Sequence, residues 1–481
     1  MENMTNKMTN YRWVICAMLF FATTVNYLDR QVLSLTYPGM IEVEFHWDES
    51  MYGRITAAFS IVYAICGLFA GRFVDWVGTK KGYLWAIGVW SVGACAHALC
   101  GVLTEWVTDF DDKFELISAT GDAAVLVATV GMYFFIAARC VLALGEAGNF
   151  PAAIKATAGY FPKKDRAFAT SIFNSGSSVG ALIAPLTIPV IAKHLGWEMA
   201  FILIGGLGFV WMGFWIFLYH KPQESPFVNK AELDYINQDD NDSEAPHLES
   251  DRHERKMSLL QCFKYKQTWA YAFGKFMTDG VWWFFLFWTP KYLHTHFDIL
   301  PTSSFGMTLI FVLYLITMLS IFGGKLPTII INRTGLDPYA ARMRAMFVFA
   351  LFPLLGILAQ PLAGFFGTPW VPVILIGILG AAHQSWSANI FTTVGDMFPK
   401  SAIATITGIG GLAGGLGSYL INRGSGELFT YAGETNMHAL GFEGKPAGYM
   451  IIFCVCAVAY IIGWAVMKTL VPRYKPINPE E

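Results

Sequence analysis

The chain has 481 residues, of which 55% are hydrophobic, 16% aromatic and only 14% charged. Soluble domains carry about 25% charged residues, which stay at the surface unless paired, so this composition argues against a soluble enzyme. The formal net charge of -2 offers no basic surface to a phosphate backbone, which argues against a nucleic-acid binder.

Apolar runs long enough to cross a bilayer, about 20 residues each, fall at 13–36, 51–74, 82–103, 123–149, 167–192, 198–219, 268–292, 304–331, 343–362, 370–393, 402–422 and 447–470. These are spans 1 to 12. Span 1 is too long for a signal-peptide core and lacks a small-residue cleavage site, so it reads as a retained span. The predicted fold is an all-α polytopic membrane protein with twelve transmembrane helices in two six-helix bundles. The N-terminal bundle covers 1–220, a polar central loop 221–267, and the C-terminal bundle 268–481.

Lys and Arg collect on one side: Lys7, Arg12, Arg72, Lys80, Lys81, Lys155, Lys163, Lys164, Arg166, Lys325, Arg333, Lys400, Lys468 and the central stretch. Loops on the other side are acidic, as at Glu42, Glu44, Asp48 and Glu49. The asymmetry predicts that both termini and the central loop are cytoplasmic.

An ionisable residue inside a span costs about 2.5–3.5 kcal/mol on insertion scales and is a functional candidate by default. Span 1 carries Asn26-Tyr27-Leu28-Asp29-Arg30. After span 2 comes GRFVDWVGTKKG, a predicted gating loop holding Gly71, Arg72, Asp75, Gly78, Lys80 and Lys81; Asp75 can pair with Arg72 or Lys80. Span 4 holds Arg139 and Glu146, seven residues or about two helical turns apart and so on one face. Asp29, Arg30, Arg139 and Glu146 sum to zero charge and can form a neutral cluster lining a cavity.

Span 5 has a small, polar strip, Asn174-Ser175-Gly176-Ser177-Ser178, that either packs closely or offers hydroxyls. In span 7, Lys275 and Asp279 are spaced to pair on one face, unless Lys275 snorkels to the membrane surface. Trp282, Trp283 and Trp288 follow, as interfacial anchors or as a face for a sugar. Span 10 reads His383-Gln384-Ser385-Trp386-Ser387-Ala388-Asn389, and Gln384 and Asn389 carry donors and acceptors suited to hydroxyls. Span 11 matches a dinucleotide-binding pattern at Gly408, Gly410 and Ala413. Without a βαβ context it reads as glycine-mediated helix packing. The eight cysteines are scattered through apolar runs with no metal-site or disulfide pattern.

The halves also repeat. Phe161-Pro162-Lys163, Thr170 and Gly180 recur as Phe398-Pro399-Lys400, Thr407 and Gly417 at one constant offset of 237 residues. Two bundles related by an axis along the membrane normal place a solute site between them, near the midplane.

The Gly71–Gly82 segment resembles the signature loop of the major facilitator superfamily. Together with NYLDR at 26–30, Arg139 with Glu146, and FNSGSSVGALIAPL at 173–186, it resembles the anion:cation symporter family of that superfamily. Within the family, AHQSWSANIFTTVGDMFP at 382–399 and GGKLP at 323–327 look most like the bacterial hexuronate transporters. The resemblance implies proton-coupled uptake of a sugar acid, glucuronate or galacturonate, across the bacterial inner membrane. It implies proton carriage by Asp29 and Glu146, pairing of Arg139 with the acids, and capture of the substrate carboxylate by Arg30. Tyr27 and Tyr63 match positions that contact sugar-acid hydroxyls. Ser177 stands where galactonate-type members have Gln, which counts against galactonate as the substrate. Asn174, Lys275, Asp279, Trp283, His383 and Trp386 are secondary candidates. Partners are the solute, protons and the bilayer, the chain being a monomer with no cofactor, no metal and no nucleic acid. The alternatives are another organic anion such as galactonate or glucarate, a drug/proton antiporter, and a solute sensor that does not transport.

Overall fold

A computed structural model describes residues 8–238, 259–323, 325–398 and 400–477. Every predicted span falls on a helix or a broken helix. Spans 1 and 2 are Arg12–Thr36 and Glu49–Val77. Span 3 is Thr79–His97, continued by Cys100–Thr108 after a 51° bend. Span 4 is Asp122–Glu146, followed by Asn149–Tyr160. Spans 5, 6 and 7 are Lys163–Leu195, Trp197–Leu218 and Lys266–Phe297. Span 8 is broken into Ser304–Thr317, Ser320–Gly323 and Leu326–Thr334. Span 9 runs through Pro338–Leu351 and Ala359–Phe366. Spans 10, 11 and 12 are Trp370–Met397, Lys400–Glu434 and Lys445–Leu470. A two-stranded hairpin, His438–Ala439 against Phe442–Glu443, joins the last two.

By length and hydropathy alone, seven of these helices qualify as membrane spans, or eight counting the bent pair. The four that fall short are 1, 7, 8 and 11. Span 1 carries Asp29 and Arg30, span 7 carries Lys275 and Asp279, span 11 carries a glycine run with Arg423 and Glu427, and span 8 is broken.

Glycines set how closely the helices approach. A Cβ at Gly145 of span 4 would lie 2.2 Å from the Trp90 nitrogen of span 3, and one at Gly176 of span 5 would lie 2.4 Å from the Phe20 carbonyl oxygen of span 1. In the second half, a Cβ at Gly417 of span 11 would lie 2.0 Å from the Phe276 carbonyl oxygen of span 7, and one at Gly410 would lie 2.1 Å from the Tyr271 ring. The glycine run of span 11 is thus a packing surface. Between the halves, spans 2 and 11 cross where Gly53 meets Gly426 and where Gly415 meets Ala64. Close approach of this kind replaces the hydrophobic drive that is missing between helices in lipid.

Two expectations change. The Gly71–Gly82 segment is not a loop, because helix continues to Val77 and resumes at Thr79. Only Gly78, at φ 88°, is left-handed, where L side chains are strained. Asp75 pairs with neither Arg72 nor Lys80. On the last turn of span 2 it reaches Lys155 at 2.7 Å, while Lys80 donates to the Ile216 carbonyl of span 6. Span 2 is tied there to the helix after span 4, and span 3 to span 6.

The central stretch holds a helix, Lys230–Ile236, docked on the start of span 1. Buried Glu232 accepts from the Tyr11 and Arg12 amides at 2.8 and 3.0 Å, from Arg12 Nη1 at 3.1 Å and from the Thr9 hydroxyl. Burial alone would raise this carboxyl, but these donors hold it below its ordinary value. The rest of the predicted loop, 239–258, lies outside the described residues.

Gly145→Val should destabilise the protein by about 1–3 kcal/mol or more, because the added side chain meets backbone that cannot move aside. A lowered melting midpoint in detergent checks this. An unchanged midpoint would contradict the packing of spans 3 and 4.

Candidate functional site

Consecutive residues on a helix point about 100° apart, and this separates Asp29 from Arg30. Arg30 faces the seam between the halves. Its Nε donates to Glu146 Oε2 of span 4 at 2.5 Å, and both side chains are buried. Four aromatic rings surround the guanidinium: Tyr63 at 4.6 Å, Tyr27 at 5.0 Å, Trp283 at 5.5 Å and Phe59 at 5.9 Å from ring centroid to Cζ. Trp283 comes from span 7, so both halves contribute to this cage. Among the described residues Arg30 Nη2 has no hydrogen-bond partner.

Asp29 turns instead into the first bundle, beside Trp90, within electrostatic reach of Arg139 and Glu146. The four predicted charges therefore do not close into one ion-pair ring. Among the described residues the direct pair is Arg30–Glu146, and no protein acceptor reaches any guanidinium nitrogen of Arg139. The Phe59 ring stands between the arginines, 5.4 Å from Arg139 Cζ.

In the second half, Lys275 does not snorkel. It is buried, paired with Asp279 at 2.6 Å, and lies over the Phe391 ring at 4.2 Å. A Cβ on Gly414 would lie 2.3 Å from Asp279 Oδ2, so span 11 presses directly on the carboxylate.

Span 10 divides. His383 bonds Tyr460 at 2.7 Å and stacks on Trp282, and buried Trp386 packs edge-on to Tyr460. Both belong to the interior of the second bundle rather than to the seam. Asn389 is buried and donates to the Ser385 carbonyl of its own helix. Gln384 is half-buried. Ser177 donates to the Asn174 carbonyl, and Asn174 is exposed.

Sequence reasoning missed a set of polar links at the face opposite the termini. Glu42 and Glu49 of the first half meet Lys291, His294 and Lys445 of the second: Lys445–Glu49 at 2.6 Å, His294–Glu42 at 3.3 Å, Lys291–Glu49 at 3.7 Å, and Lys291–Glu42 in direct contact. Arg54–Glu427 at 3.0 Å and the Tyr52 hydroxyl on the Phe287 carbonyl at 2.7 Å add to these. This face is sealed. The acidic loop at 42–49 was the available signal, but its lysine partners lie some 250 to 400 positions along the chain.

Two bundles of membrane-crossing helices, meeting at a charged, aromatic-lined seam that is sealed at one face, define a multi-pass membrane transporter rather than an enzyme. A profile of the Major Facilitator Superfamily matches residues 19–421, and the chain belongs to that superfamily. It is 29% identical to the hexuronate transporter of Escherichia coli K12 over 98% of this chain and 96% of that one. It is 30% identical to the galacturonate transporter of Dickeya chrysanthemi over 60% of this chain and 73% of that one. The crystal structure of a D-xylose-proton symporter aligns at a TM-score of 0.68 with 14% identity, covering 97% of this chain and 100% of that chain, a likeness of fold alone.

Burial alone would raise the Glu42 carboxyl. Hydrogen bonds from His294 and Lys291 and the lysine charge outweigh it and bring the group from 4.5 down to about 2. A carboxyl lowered this way favours the sealed face fully above pH about 4.5, and the effect is lost as pH falls through about 2. Lys291→Met should speed thiol labelling of a Thr430→Cys probe, which lies at this seal against Ser50. The difference from the unmutated probe protein should be equal at about pH 5.5 and 7.5. A difference that disappears at the lower pH would show a protonated Glu42.

Proposed function

We propose that this chain is a proton-coupled symporter that takes a sugar-acid anion, most simply a hexuronate such as glucuronate or galacturonate, into the bacterial cytoplasm. The observation that carries the reading is the Arg30–Glu146 pair, buried at the seam inside an aromatic cage to which both bundles contribute. The similarity to hexuronate and galacturonate transporters supports the substrate class. We place both termini in the cytoplasm and the sealed face outside, with functional units at 1–220, 221–267 and 268–481 and a monomer as the working unit.

A single carboxylate cannot be gripped while Glu146 occupies Arg30. Protonating Glu146 removes its charge and frees the guanidinium, which then takes the solute carboxylate in bidentate fashion. Tyr27 and Tyr63 flank the site and can bond hydroxyls, and Ser177, Gln384 and Asn389 are further candidates for binding them. Asp29, buried behind Arg30 within reach of Arg139, is the second proton acceptor. Rocking of the halves carries the loaded site across, and deprotonation of Glu146 restores the pair and expels the anion.

Proton coupling has an energetic reason. An inside-negative potential opposes entry of a monoanion by about 2.3 kcal/mol per 100 mV. At roughly -150 mV that is about 3.5 kcal/mol, a concentration penalty of a few hundredfold. One proton cancels the charge, and a second makes uptake potential-driven.

Uptake of radiolabelled glucuronate into proteoliposomes under an inward proton gradient tests the proposal. Accumulation should collapse with a protonophore, and absence of uptake or binding would reopen the exporter and sensor readings. Glu146→Gln should retain solute exchange and lose accumulation, and normal accumulation would remove Glu146 from the proton path. Arg30→Ala should weaken binding at least about tenfold, the value of a lost charge-assisted hydrogen bond. Unchanged affinity would remove Arg30 from the site.

A further inference from the structure

We infer that Asp279 is a specificity residue that selects sugar acids bearing one carboxylate and a hydroxylated far end against those bearing two carboxylates. The inference rests on the reading above, that a sugar-acid carboxylate is held at Arg30.

Span 7 repeats its face every three to four residues, so Lys275, Asp279 and Trp283 form one stripe. Trp283 fixes where that stripe points. Its ring lies 5.5 Å from Arg30 Cζ and 5.6 Å from the Tyr63 ring, inside the cage. Asp279 is one turn away, about 6 Å along the axis, and it is close enough to Tyr27 to interact with it electrostatically across the seam. Six carbons in an extended chain also span about 6 Å. With Trp283 beside Arg30 and Asp279 one turn further along span 7, the far end of a six-carbon acid held at Arg30 would extend toward Asp279.

The order of the two charges decides what that end must be. The Asp279 side chain is 18% exposed and that of Lys275 only 6%. The ammonium lies over the Phe391 ring, and the carboxylate, the more exposed of the two, lies against Gly414. Lys275 balances the charge of Asp279 and is the less exposed of the two. The seam thus offers a guanidinium at one end and a carboxylate at the other. An ionised carboxylate only accepts hydrogen bonds. It takes sugar hydroxyls, which donate, and it repels a second carboxylate, which cannot. A uronate or aldonate fits this polarity and an aldarate opposes it.

The test is competition for binding to the purified protein by D-glucuronate, D-gluconate and D-glucarate, which differ at the far end. Glucarate should compete about tenfold or more weakly than the two monoanions, the loss expected when charge-assisted hydrogen bonds are replaced by repulsion. Asp279→Asn should narrow that ratio by weakening glucuronate and strengthening glucarate. Should the single variant fail to fold with Lys275 left unpaired, the double variant Lys275→Met with Asp279→Asn gives the same readout without a buried lone charge. Glucarate binding as tight as glucuronate in the unmutated protein, or an unchanged ratio in the variants, overturns the assignment while leaving sugar-acid transport standing. Binding of none of the three overturns both.

Discussion

The buried contact between Arg30 and Glu146 is the constraint around which the rest is arranged. Two charges taken out of water cost several kcal/mol each, and their attraction repays this only when geometry is good and the remaining hydrogen-bonding atoms are satisfied. Here satisfaction is partial. Among the described residues Glu146 Oε1 and Arg30 Nη2 have no hydrogen-bond partner, and the arginine is flanked by ring faces. Such a pair is easily exchanged for a different one. A bound carboxylate can replace Glu146 at the guanidinium, and a proton can replace the guanidinium at Glu146. A pair meant only to hold spans 1 and 4 together would use every donor.

Around this pair the molecule divides its labour. Within each bundle, glycines let backbones touch, as at Gly145 against Trp90 and Gly417 against Phe276, and these contacts do not change without large cost. Between the bundles, beside the glycine crossing of spans 2 and 11, there are links of another kind. Lys291, His294 and Lys445 reach Glu42 and Glu49 through single side chains at the sealed face. Side-chain ion pairs can break without disturbing the helices that bear them. Rigid interiors joined by breakable seams are what two halves need in order to move as bodies.

Much of this was legible in one sequence, for physical reasons. Spans follow from apolar runs, because lipid forces backbone polar groups into helices. Site charges follow because so few charges are tolerated there. Asp29, Arg30, Arg139, Glu146, Lys275 and Asp279 stand out without any partner being known. What the sequence could not convey was direction. Adjacent Asp29 and Arg30 look like one unit, yet a 100° turn sends one into the bundle and the other into the seam. Trp282 and Trp283 look equivalent, yet one stacks on His383 and the other on the Arg30 cage. The partners of Asp75 and Glu42 were hidden for a related reason. Lys155 and Lys291 lie far along the chain, and only packing of the bundles brings them near.

The unsatisfied groups are distributed unevenly, and this bears on how the halves divide the work. Among the described residues, all three guanidinium nitrogens of Arg139 and one of Arg30 lack acceptors, and each belongs to the first bundle. In the second bundle the two charges in the middle of span 7 satisfy each other, Lys275 with Asp279. A half with spare donors and displaceable carboxylates can change its protonation and its ligand. A half whose buried charges are already matched gains little from a proton and serves better as a fixed surface. In the proposed cycle the first bundle would exchange protons and anion, while the second would present a constant polarity against which the solute is compared.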